Sequence, residues 1–167
     1  MAFQSTIRQF QTDGIVGDIA LDGLVRAQPV VLKTVTAANN VIGRAFTMVA
    51  GQDGQAVAGG TGVFGGILIN SKLYALSGTS AGGALAPTIT LANDLPVELC
   101  TFTSGVYVSL TTAGNVGDQV VFAQADGQLA AIAPGASPGV GETLIPNAQV
   151  IRQNTSGAGL ALISLGN

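Results

Sequence analysis

Apolar or alternating segments recur along this chain at short spacing, the pattern of strands rather than of an amphipathic helix. Runs of this kind cover 24–32, 41–49, 63–69, 88–91, 97–102, 106–110, 119–122, 128–132, 144–151 and 160–165. Turn signals separate them. Asp13-Gly14, Asp22-Gly23, Asp53-Gly54 and Asp126-Gly127 each supply the positive φ that a tight turn needs. The clearest hairpin spans Val120 to Ile132, two apolar arms around Asp126-Gly127. About ten short strands with turns every 8 to 12 residues or so predict an all-β protein, a jelly-roll-like or barrel-like sandwich. Only 34–39 offers a single helical turn, and no stretch sustains a helical stripe.

Two stretches read as long loops. Residues 51–62 are almost all Gly, Ala and polar side chains, and 134–142 holds two prolines and three glycines. Neither separates independent cores, because strand-like runs of the same character continue on both sides. The chain therefore reads as one β domain over 15–167. It is preceded by an extended arm over 1–14, where Phe3, Ile7 and Phe10 interleave with Gln4, Gln9 and Gln11. The arm has apolar anchors for a neighbour but too few for a core of its own.

Composition adds a bias toward association. Charged residues are 9% of the 167, against roughly a quarter in an ordinary soluble domain, while 47% are hydrophobic. So weakly charged a surface favours packing against copies or partners. The net charge of -3 comes with no basic run: Arg8, Arg26, Lys33, Arg44, Lys72 and Arg152 stand far apart. Phosphate backbones need clustered cations, so no nucleic-acid partner is expected. No membrane is expected either, because a spanning helix needs about 20 successive apolar residues and the runs here are short. The first residues lack a basic stretch followed by an apolar core, so synthesis in the cytoplasm of a host is expected without a secretory leader. Cys100 is alone in an apolar run and reads as a small buried hydrophobe.

Catalytic chemistry is poorly supplied. The absence of histidine removes the commonest general base and zinc ligand. Glu98 and Glu142 lie in unrelated contexts and do not read as a carboxylate pair. Gly60-Thr61-Gly62-Val63-Phe64-Gly65 matches G-x-G-x-x-G, but a strand-like run follows it and the next acid is Asp94, so glycines bending the entry to a strand explain it better than a nucleotide. Asp13, Asp18 and Asp22 lack the dense pattern of a calcium loop. Asn154-Thr155-Ser156 is read as a polar turn and Asp118 as a turn cap. Sugar recognition usually stacks rings on Trp or Tyr, and here there is no Trp, only Tyr74 and Tyr107. No enzyme activity, cofactor, metal or small-molecule substrate is expected.

A set of segments in fixed order points further. Met1-Ala2-Phe3-Gln4 leads to Arg26-Ala27-Gln28-Pro29, then to Ala38-Asn39-Asn40-Val41-Ile42-Gly43-Arg44-Ala45-Phe46-Thr47. Gly59-Gly60-Thr61-Gly62-Val63-Phe64-Gly65-Gly66-Ile67-Leu68 follows, then Val116-Gly117-Asp118-Gln119-Val120-Val121 and Gly159-Leu160-Ala161-Leu162-Ile163. Together they resemble the structural cement proteins encoded beside the major capsid protein in many tailed phages. The resemblance runs over nearly the whole chain, its weight lying in the order and spacing of the pieces.

The resemblance implies an all-β body on the outer surface of the phage head, often a symmetric oligomer, a dimer or trimer, that clamps adjacent major capsid protein subunits against internal DNA pressure. It implies no active site. It does not place capsid contacts on particular residues. From composition, the expected interface is Phe3, Ile7, Arg8 and Phe10 in the arm, with Arg26 and Arg44. The alternative is another virion part, such as a tail-tube, head-tail connector or receptor-binding β module.

Overall fold

A single long strand carries the architecture. A computed structural model describes residues 14–20, 23–70, 90–152 and 157–166, and in it nine strands form: β1 (Arg26–Leu32), β2 (Ala45–Met48), β3 (Gln55–Ala58), β4 (Phe64–Leu68), β5 (Pro96–Leu110), β6 (Gln119–Ala123), β7 (Leu129–Ile132), β8 (Glu142–Arg152) and β9 (Gly159–Leu165). A single 3-10 turn, Ala37–Asn39, lies inside the stretch expected to form one helical turn. The all-β expectation holds.

The pairings close on themselves twice. β1, β3, β2, β4 and the first half of β5 hydrogen-bond in that order, and β5 returns to β1, with Pro29 opposite Glu98. The second half of β5, then β7, β6, β8 and β9, makes another ring, and β9 returns to β5, with Tyr107 opposite Leu162. Two five-stranded rings therefore share β5. Each of the nine strands has a bonded neighbour on both sides. Closure removes the free edges that would template aggregation, which matters for a chain with so little charge.

β5 serves both rings because its two faces look into different cores. In the first ring Val97 and Leu99 point inward, while in the second Val106, Val108 and Leu110 do. Cys100, an even position ahead of the bend, already faces the second core, and the register slips by one residue between Thr103 and Val106 opposite Leu165 and Ile163. Such a bulge bends the strand. Thr103 Oγ1 accepts from the Gly105 N–H at 3.2 Å, holding the bulge. Residues 14–20 lie against it: the Ala20 N–H donates to Gly105 O at 2.9 Å and the Gly17 N–H to Tyr107 O at 2.7 Å.

Each ring has its own filling. Val30, Leu32, Phe46, Ala56, Leu68 and Leu99 fill the first. Phe122, Leu129, Ile145, Val150 and Ile163 fill the second. The second cluster extends outward to the far faces of β2, β4 and β5, taking in Ala45, Ile67 and Cys100, so the rings pack on each other. The β6–β7 hairpin forms as predicted, with Val120 opposite Ala131. Its turn docks on the first ring, where the Ala45 N–H donates to Gly127 O at 2.9 Å and the Gly60 N–H to Gln124 O at 2.7 Å.

Three details differ from the sequence reading. The runs 97–102 and 106–110 are one bulged strand, because Ser104-Gly105 bends the backbone without ending its pairing. β3 lies inside the stretch read as a loop; its small side chains hid a strand that bonds β1 in parallel and β2 antiparallel to close the ring. The run 88–91 shows only a single bridge, Thr90 with Val41, residues 88 and 89 lying outside the described set. Residues 133–141 form the exposed loop expected there.

Candidate functional site

Large hydrophobic side chains left in water are the first candidates for contact. Ile15, Leu24, Val25, Val35, Val63, Val116 and Val140 are exposed, and most stand singly on loops between strands. Single exposed apolar residues are ordinary. Leu24 and Val25 differ, because they are adjacent, are followed directly by Arg26, and Leu24 lines a groove.

That groove lies where β5 passes from one ring to the other. It is lined by buried Thr103, Ser164 and Leu165, by apolar Leu24, Phe102 and Ile151, and by polar Ser104 and Gln149. Its volume is about 210 Å³. Drug-sized ligands occupy pockets of roughly 300–1,000 Å³, so this one suits a single side chain better than a substrate. Arg26 stands beside it, with its guanidinium carbon 5.9 Å from the centre of the Phe102 ring. This cation–π geometry holds the charge at the wall while leaving its N–H donors to solvent.

Arg44 is used differently. Its guanidinium donates to Asn39 Oδ1 and Asp126 O, both at 3.2 Å, and lies 3.6 Å from Asp126 Oδ2. The side chain is 21% exposed, and these contacts tie the first ring to the turn of the β6–β7 hairpin. A second, wider groove of about 340 Å³ runs beside it, lined by Val41, Ile42, Ser109 and Leu129 among others. The remaining expected contacts, Phe3, Ile7, Arg8 and Phe10, lie outside the described residues, as do Asp13, Asp22 and Asn154-Thr155-Ser156.

The groove was not foreseen from sequence. Leu24 and Val25 were read as the start of a half-buried strand, whereas β1 begins at Arg26 and leaves them outside it. The signal was present in their position directly after the Asp22-Gly23 turn. Phe102 and Ile151 come together only through the tertiary fold and carried no local signal.

The remaining candidates resolve into structure. Gly60-Thr61-Gly62-Val63-Phe64-Gly65 follows β3 but opens into β4 rather than a helix, so it lacks the helix N-terminus that would hold a pyrophosphate. Asp118 Oδ2 accepts from the Asn115 N–H at 2.8 Å, capping the turn before β6. Asp18 Oδ1 accepts from Asn70 Nδ2 at 3.1 Å. Among the described residues no group of three or more His, Cys, Asp or Glu is placed to hold a metal ion. Cys100 is fully buried, and burial raises its pKa and favours the neutral thiol.

Comparison with known proteins follows the same direction. A solved structure titled "The capsid of Myoviridae Phage XM1" contains a chain of similar fold, with a TM-score of 0.62 and 17% identity over 100% of this chain and 99% of that one. Curated proteins return no match. The family model for structural cement proteins (E217 gp24/Pam3 gp6) matches residues 3–166, and the chain belongs to that family.

Proposed function

We propose that this protein is a capsid cement of a tailed phage: a non-enzymatic virion component that binds the outer surface of the head and bridges adjacent major capsid protein subunits. Membership of the structural cement family over 3–166 is the observation that carries this reading. The physical chemistry agrees. Closed rings give a body that resists distortion, and the absence of histidine leaves little for catalysis.

Cement action is binding across a junction that internal DNA pressure pulls open. Each copy contributes in proportion to apolar area removed from water, about 25 cal/mol per Å², less the cost of association. Copies joined as a dimer or trimer bind several lattice sites at high effective concentration, so modest affinity per site suffices. Arg26 with Leu24 and Val25 is the described part of the contact. The N-terminal segment, through Phe3, Ile7, Arg8 and Phe10, is a second grip on a neighbour. Arg44 is assigned to holding the rings together.

Quantitative mass spectrometry of purified virions tests the assignment against the tail and connector alternatives. The expected result is a copy number in fixed proportion to the major capsid protein. A handful of copies per particle contradicts it and favours a tail or connector part.

A further inference from the structure

The groove between Leu24, Phe102 and Ile151 is a small recess of mixed lining, apolar on those three and Leu165 and polar on Thr103, Ser104, Gln149 and Ser164, with an exposed cation beside it. Among the described residues Arg26 enters no ion pair, although Lys33 pairs with Asp94 and Arg44 with Asp126. The Arg26 main-chain oxygen accepts from Thr101 Oγ1 at 3.2 Å, which fixes the backbone and leaves the guanidinium aside. The Phe102 face places that guanidinium near the recess, 5.9 Å from the ring centre.

Size and charge together define the occupant. A cavity of about 150 Å³ accepts a benzene ring, so the roughly 210 Å³ here matches one aromatic or branched aliphatic side chain. The rim charge calls for a carboxylate close by along the same segment, since Arg presents a planar fork of donors to it. A second copy is the natural rival. An isologous contact centred on this groove would bring two Arg26 side chains together, and like charges facing each other across an interface are costly. Charge complementarity therefore favours an acidic partner.

We propose that the groove receives an acidic, apolar segment of the major capsid protein, one large apolar side chain entering between Phe102 and Ile151 while a nearby carboxylate pairs with Arg26. This rests on the cement reading above. The contact is an anchor of the kind that dominates interfaces, a pocketed apolar side chain with an adjacent Arg.

The test uses the purified full-length protein and phage heads prepared without it, with binding measured by co-sedimentation across a salt series. Arg26→Glu and Leu24→Asp change exposed side chains, and Val63→Asp, exposed and outside the groove, is the control. Thermal melts confirm that all variants are folded, and light scattering reports their oligomeric state. Arg26→Glu and Leu24→Asp are expected to weaken binding about tenfold or more, with Val63→Asp unchanged. Wild-type affinity should fall with salt, and that of Arg26→Glu should fall less steeply. Wild-type binding that both groove variants retain overturns the groove assignment and leaves the cement reading in place. Loss of self-association in these variants with head binding intact assigns the groove to a second copy and overturns the proposal. Failure of the wild type to bind heads overturns the cement reading, and the groove assignment with it.

Discussion

Alanine in place of Gly127 should destabilise the protein by about 2–5 kcal/mol, a large part of the roughly 5–15 kcal/mol that holds a domain folded. Two effects add. Gly127 has φ +77°, a conformation that costs a residue with a side chain on the order of 1 kcal/mol or more. A Cβ there would also stand 2.2 Å from Ala45 O and 2.9 Å from the Gly59 N. Those are backbone atoms already in use, since the Ala45 N–H donates to Gly127 O and the Gly59 N–H to Ala45 O. Relief therefore means separating the two rings where the β6–β7 turn docks. Gly54 is the control: its φ is similar, +68°, but a Cβ there meets nothing within 4 Å. Its alanine variant should cost only about 1 kcal/mol. Denaturant unfolding of both measures the difference, and a Gly127 variant no worse than the Gly54 variant would contradict the close docking of the rings.

Truncation of Phe122 to alanine should cost about 3–5 kcal/mol, the range for emptying a buried aromatic site. Phe122 is fully buried on β6 among the filling of the second ring. Its ring centroid lies 6.1 Å from that of Phe64, which belongs to β4 of the first ring, with the planes tilted by 35°. The pair joins the two cores, so Phe122→Ala should act on both rings in one transition. A double-mutant cycle with Phe64→Ala should give a coupling of about 0.5–1.5 kcal/mol. A loss below about 1 kcal/mol for Phe122→Ala, or a separate unfolding step for one ring, would show that the rings do not share a core.

Much of this fold was legible because strands announce themselves by alternation. The β6–β7 hairpin was readable from two apolar arms around Asp126-Gly127, and the structure pairs Val120 with Ala131 as that reading requires. β3 was not, because Gln55-Ala56-Val57-Ala58 buries only small inward side chains and sits among glycines. Its strand character comes from the two neighbours it joins rather than from its own residues. The continuity of β5 was hidden for a related reason. Ser104-Gly105 interrupts the apolar run at the bulge between Thr103 and Val106, so a single strand reads as two.

The candidate site was less legible than the fold. Composition pointed to an associating surface and named Arg26, which the structure sets beside a groove. It also named Arg44, which is spent on Asn39 and Asp126 within the chain. Both are isolated arginines in sequence. What separates them is the position of Asp126, 82 residues from Arg44, and of Phe102 beside Arg26, pairings that only the closed rings create. Phe102 and Ile151 likewise line one groove from β5 and β8, beyond the range of any local pattern.

The central claim is that the two rings sit on the outside of the head and span the boundary between capsid subunits. A cryo-EM reconstruction of the intact head tests it most directly. The expected map shows the double-ring body repeated across the outer lattice, its Leu24 and Arg26 side against the major capsid protein. A shell whose outer surface carries no such density, with the protein found only at the tail or portal, would contradict it.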